Sequence, residues 1–99
     1  MGKIEDFSKV MQIVTELTDV TDREILGSSK AQDVVDARWL VFLLMKEKGC
    51  RTSQIAMLTN KPIRSINHGV RMIEDRARYN CGGIGNILAK ARQMLSNNS

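Results

Sequence analysis

The stretch 52-TSQIAMLTNKPIRSINHGVRMIEDRAR-78 holds two helical patterns separated by a break. Ile55, Ala56, Met57 and Leu58 form the apolar part of a short helix that Thr52 or Ser53 can cap. Thr59-Asn60-Lys61-Pro62 interrupts it, and Pro62 fits the first turn of a new helix, where its missing N–H has no intrahelical partner. In that second helix, predicted to run to about Arg78, Ile66, Val70, Ile73 and Ala77 step by four, three and four residues onto one face. At about 100° per residue, Arg64, His68, Arg71 and Asp75 project from the opposite side, with Lys61 near the same edge at the mouth of the turn.

A short helix, a tight turn and a second helix with a polar outer face make a helix-turn-helix, whose second helix suits the major groove of a DNA duplex. The outward side chains over residues 52–78 are of the required types. Arg64 and Arg71 can bind guanine edges or phosphates, and Lys61, Asn67 and His68 can donate or accept at base edges, with Ser65 at a phosphate. Arg51, Thr52 and Ser53, at the start of the bracing helix, are placed to touch phosphates through charge, hydroxyls and backbone N–H groups. Asp75 opposes a polyanion on its own turn, so contact is expected to end near Arg71, leaving Arg76 and Arg78 to solvate the helix end.

The distribution of charge agrees with this placement. Residues 46–78 carry eight basic side chains against three acidic ones, whereas residues 1–45 carry five against eight, although the whole chain is only +4. The positive charge is therefore gathered in one third of the chain, as the footprint of a polyanion would be.

The remainder of the 99 residues reads as one all-α domain of five or six helices. Ile4, Phe7, Val10, Met11, Val14 and Leu17 form an apolar stripe on a first helix. Thr21-Asp-Arg-Glu24 has the form of a capping box opening a short helix that Gly27-Ser28-Ser29 stops. A long helix is predicted from about Ala31 to Lys48, with Asp33 and Asp36 near its positive end and Lys46 and Lys48 near its negative end. Its centre, Trp39 to Met45, is apolar all round and should be the most buried element, and Gly49 ends it. Asn80 to Gly85 is a glycine-rich break before a last helix carrying Ile84, Ile87, Leu88, Ala91, Met94 and Leu95 on one side and fraying over residues 96–99.

Several function classes find no support. The longest apolar run, Trp39–Met45, is seven residues, far from the roughly 20 that span a membrane. The first six residues lack the layout of a signal peptide, so a cytoplasmic protein is expected. Four aromatic side chains in all argue against a stacking surface for single strands. Cys50 and Cys81 are isolated and the single His has no partner set, so neither a metal nor any other cofactor is expected. One His without paired catalytic carboxylates gives no frame for an enzyme.

The same residues resemble the C-terminal DNA-binding domain of the bacterial chromosomal replication initiator DnaA, a member of the Trp-repressor-like helix-turn-helix group. Val14 through Leu26 is similar to that domain's entry helix, loop and small second helix, and Lys30 through Glu47 to its basic loop and long helix. Ser65-Ile-Asn-His-Gly-Val-Arg-Met-Ile-Glu74 resembles the Thr-Val-Leu-His-Ala-Cys-Arg-Lys-Ile-Glu of its recognition helix. The resemblance implies DNA contacts for Arg38 and Lys46 and a minor-groove position for Lys30. It also shows departures: Pro62, Ile63 and Arg64 stand where the family has its base-reading Asp, His and first Thr, and Ser65 alone keeps hydroxyl character. The resemblance thus implies the fold and docking orientation with a different target sequence. It brings no nucleotide cofactor, because the chain contains no Gly-rich phosphate loop with Lys and Ser/Thr. The changed signature, an exposed Ile63 and an acidic N-terminal half leave a second reading open: a module of initiator-like fold that docks a protein partner or a second copy of itself.

Overall fold

The apolar run Trp39–Met45 lies inside the longest-buried helix of the molecule, and everything else packs around it. The structure is a computed structural model that describes residues 2–97. Its elements, in order, are α1 (Lys3–Thr18), α2 (Asp22–Leu26), α3 (Gln32–Glu47), α4 (Thr52–Thr59), α5 (Ile63–Arg78), a short 3-10 turn (Cys81–Gly83) and α6 (Ile84–Asn97), with no strand among the described residues. The fold is all-α, as the periodicities predict. No helix among the described residues is long and apolar enough to cross a membrane. Of the predicted fraying end, Ser96 and Asn97 are instead the last two residues of α6, and Asn98 and Ser99 lie outside the described residues.

Leu40 through Met45 are six consecutive buried residues, so α3 presents apolar surface in every direction. It meets α5 and α1 most extensively, and also α2, α4 and α6. A helix surrounded in this way must be apolar all round, whereas its neighbours need only one apolar face. α1 supplies Val10, Met11, Ile13 and Val14, α5 supplies Ile66 and Ile73, and α6 supplies Ile84, Leu88, Ala91 and Leu95.

The predicted boundaries hold to within a residue or two, and local chemistry explains them. Thr21 is the N-cap of α2 with the full capping box: Glu24 N–H donates to Thr21 Oγ1 at 3.2 Å and Thr21 N–H donates to Glu24 Oε1 at 3.0 Å. α4 ends at Asn60 in the left-handed conformation, φ 56°, which asparagine tolerates better than other non-glycine residues. Gly49, at φ 91°, turns the chain between α3 and α4.

Four expectations are corrected. Ile4, at the start of α1, is 74% exposed and lies on a groove beside α2 rather than in the core. The cap of α4 is Arg51 rather than Thr52 or Ser53; no cap hydroxyl serves the first turn, and Gln54 Oε1 reaches back to accept from the Arg51 N–H at 3.0 Å, which is the return half of a capping box. Arg76 does not solvate the end of α5. It turns inward to the buried carboxylate of Asp36 on α3, with Nη2 donating to Oδ2 at 2.8 Å. Asp36 in turn serves that pair more than the dipole of its own helix. Gly85 belongs to the first turn of α6 rather than to the break before it, where its α-carbon approaches the end of α5 so closely that a Cβ would stand 2.7 Å from the Ala77 carbonyl.

Cys50 is buried and Cys81 half-buried, and both thiols are free. Burial pushes the Cys50 thiol up from its ordinary value, which makes it a packing residue rather than a nucleophile.

Candidate nucleic-acid interface

α4 and α5 are joined by three residues, Asn60-Lys61-Pro62, and α5 opens at Ile63 with Pro62 as its cap. Ile66, Gly69 and Ile73 turn inward, which leaves Arg64, Asn67, His68 and Arg71 exposed on the outer side. Arg64, His68 and Arg71 follow at steps of four and three, so they form a row along the helix. At about 1.5 Å of rise per residue this row is about 10 Å long, a length that fits within one passage of a major groove.

Gly69 sets how close that helix lies to the core. A Cβ there would stand 2.3 Å from Trp39 Cδ1 and 2.9 Å from Phe42 Cδ2, so only glycine allows α5 to approach α3 to this distance. One residue away, the ring of His68 meets the ring of Trp39 edge-on with centroids 5.7 Å apart. The imidazole is exposed but not loose, since the indole fixes one side of it.

Between the start of α5, the outer face of α3 and the loop that joins α2 to α3 lies a cleft of about 510 Å³. Its lining includes Lys30, Arg38, Trp39, Lys61, Ser65 and His68, together with Gly27, Ser28, Val35 and Phe42. Three cations and no carboxylate line it. Two of those cations are structural as well as electrostatic. Arg38 donates from Nε to the Ile25 carbonyl at 2.7 Å, from Nη1 to that of Ser29 at 3.1 Å and from Nη2 to that of Glu24 at 3.1 Å. Lys61 Nζ donates to the carbonyl of Gly27. The Glu24 carbonyl also accepts the Gly27 N–H at 3.2 Å at the end of the five-residue α2, and cations are favourable at that negative end. Arg38 thus fastens α2 and the α2–α3 loop to α3, and Lys61 fastens the same loop to the helix-turn-helix.

Among the described residues no carboxylate pairs with Lys30, Arg38 or Lys61. Burial lowers Lys61 from the ordinary lysine range, and the nearby charges of Arg38 and Lys30 lower it further. Burial lowers Arg38 too. A carbonyl satisfies a donor but leaves its formal charge in place, so the cleft keeps a positive potential that an anion would relieve. Along the chain of the helix-turn-helix, too, no Asp or Glu occurs from Lys48 through Ile73.

The predicted site residues divide into three groups. Lys30, Arg38, Lys61, Ser65 and His68 come together in the cleft. Arg64, Asn67 and Arg71 stand exposed beside it on α5. Lys46, exposed in the last turn of α3, and Arg51, Thr52 and Ser53, at the start of α4, lie outside the cleft, with Thr52 half-buried. Sequence reasoning missed Trp39 as a wall of the cleft and the carbonyls of residues 24–29 as the anchors of Arg38 and Lys61. Only contacts between distant segments reveal them. Among the described residues no cluster of three or more His, Cys, Asp or Glu has a metal-holding arrangement. No protein-family model matches the chain, and comparison with curated proteins returns no match.

Proposed function

We propose that this protein binds double-stranded DNA, with α5 in the major groove, α4 bracing it and the cationic cleft against the sugar–phosphate backbone. The observation that carries the reading is the pairing of an exposed Arg64–His68–Arg71 row, in a stretch of chain free of carboxylates, with a neighbouring cleft of three cations. The row supplies base-edge and phosphate donors, and the cleft supplies charge that phosphate would neutralise. The likeness of residues 65–74 to the initiator's recognition helix supports the same orientation, and Pro62-Ile63-Arg64 supports a different target sequence. On this reading the protein acts in the cytoplasm, in control of replication or transcription.

The test is a titration of a fluorescent duplex at several salt concentrations. Affinity should fall steeply with salt, and Arg71→Ala should lower the slope of log affinity against log salt by about 0.9 if one phosphate contact is lost. Absence of binding at low salt, or unchanged binding in the Arg64→Ala, Arg71→Ala double variant, would overturn the proposal.

One observation favours a second reading, a protein-docking module. A groove of about 430 Å³ runs between α1 and α2, with Phe7, Met11, Leu26 and the exposed Ile4 on one part of its lining and Ser8, Gln12, Thr15 and Asp22 on the rest. An NMR titration with duplex separates the two, because DNA should perturb residues 61–71 and leave this groove silent.

A further inference from the structure

Ile63 is the first residue of α5 and is 49% exposed, an aliphatic side chain placed among polar and cationic neighbours. It continues the apolar stripe of Ile66 and Ile73 by one step of three, but at the tip of the helix half of it finds nothing to pack on. Its chain neighbour Arg64 is exposed, and Asn67, four residues on, shares its ridge and is exposed as well. These three make a small patch at the N-terminal end of α5, the end from which recognition helices reach base edges.

We propose that Ile63 is a specificity residue that reads the C5-methyl group of a thymine in the major groove. This rests on the DNA-binding reading above. An A·T pair presents in that groove one apolar group, the thymine methyl, beside the adenine N6 donor and N7 acceptor. Ile63 and Asn67 offer the matching set on one ridge: an aliphatic surface for the methyl and a carboxamide that both donates and accepts for the adenine edge. Arg64, on the adjacent ridge, supplies two parallel donors for a guanine at the next step. The fixed φ of Pro62, −68° at the cap, holds the patch in place at the entry to the helix.

The experiment starts from a random-sequence duplex library, selected with the full chain. Each thymine of the enriched duplex is then replaced singly by deoxyuridine, which removes only the methyl. One position should lose affinity about fourfold in the wild type, the worth of one buried methyl group. Ile63→Ala, confirmed folded by circular dichroism, should bind the thymine and uracil duplexes equally, and Ile63→Val should keep most of the difference. Equal affinity at every position in the wild type, or a thymine preference that survives Ile63→Ala, overturns this inference and leaves DNA binding standing. Failure of the wild type to bind any duplex overturns both.

Discussion

Asp36 and Arg76 are forty residues apart and join the first half of α3 to the last turns of α5 through a largely buried ion pair. Arg76 Nη2 donates to Oδ2 at 2.8 Å, and Nε stands 2.8 Å from Oδ1 without pointing at it. Gln32 Nε2 adds a third polar contact, donating to Oδ1 at 2.8 Å. The Asp36 side chain is 8% exposed and that of Arg76 25%. α3 forms one wall of the cationic cleft and α5 carries the outward row, so this pair holds the two halves of the candidate interface in register.

Removing one partner should therefore be costly. Asp36→Ala leaves a guanidinium facing apolar surroundings and should destabilise the fold by about 2–3 kcal/mol, below the usual range for fully buried pairs because Arg76 keeps some water contact. Replacing both residues by leucine should restore most of that loss, since paired apolar side chains carry no desolvation penalty. Urea unfolding measures the loss in Asp36→Ala and, through Asp36→Leu, Arg76→Leu and the double leucine variant, the coupling. Additive single effects would show that the pair contributes nothing beyond its parts.

Gly69→Ala sets two effects against each other. Alanine improves helix propensity by about 1 kcal/mol, but the new methyl would stand 2.3 Å from Trp39 Cδ1 and 2.8 Å from Nε1. Such overpacking costs about 1–3 kcal/mol, so a net loss of roughly 1 kcal/mol is expected. Trp39 is the only tryptophan, so a displaced ring also shifts the emission of the whole protein. Unchanged stability and fluorescence would mean that α5 can retreat from α3 without cost.

The salt bridge between Glu47 and Arg92 gives a useful contrast. Arg92 Nη2 and Glu47 Oε2 are 2.6 Å apart, closer than the Asp36–Arg76 contact, but their side chains are 51% and 36% exposed, respectively. Solvent screening outweighs distance here, and Arg92→Ala should cost no more than about 0.5–1 kcal/mol. Denaturation in low and high salt should show this small effect shrinking as salt rises.

The helical content, the central position of the Trp39–Met45 run and the existence of a break before α5 were legible in the sequence, because each depends on periodicity or capping within a few residues. The break falls one residue later than predicted at both ends, with Thr59 inside α4 and Pro62 the cap of α5 rather than in its first turn, and Trp39 is only half-buried. The outward row on α5 was legible for the same reason. The cleft was only half legible. Lys30, Arg38, Lys61, Ser65 and His68 could be named individually, but their meeting depends on how the α2–α3 loop folds back over the helix-turn-helix. No local pattern encodes that Arg38 gathers carbonyls from residues 24, 25 and 29 or that Lys61 reaches the carbonyl of residue 27. Arg76 failed as a surface residue for the same reason, its partner being set by the crossing of α3 and α5.

Lys61 provides the most direct test of the cleft's electrostatics. Burial and the charges of Arg38 and Lys30 lower it below the ordinary lysine value, so the folded state binds this proton less tightly than the unfolded chain does. The contribution to stability therefore has a definite sign. At pH below the depressed folded value the charge opposes folding, and that penalty is relieved as pH rises from the folded value toward the ordinary lysine range. A bound phosphate should reverse the shift, because a negative neighbour favours the ammonium form. NMR titration of the Lys61 side chain should find it deprotonating below the ordinary lysine range in the free protein and at higher pH with duplex or inorganic phosphate added. A Lys61 that titrates at the ordinary lysine value in the free protein would show that Arg38 and Lys30 impose no charge on it, and the cleft would lose its claim to hold an anion.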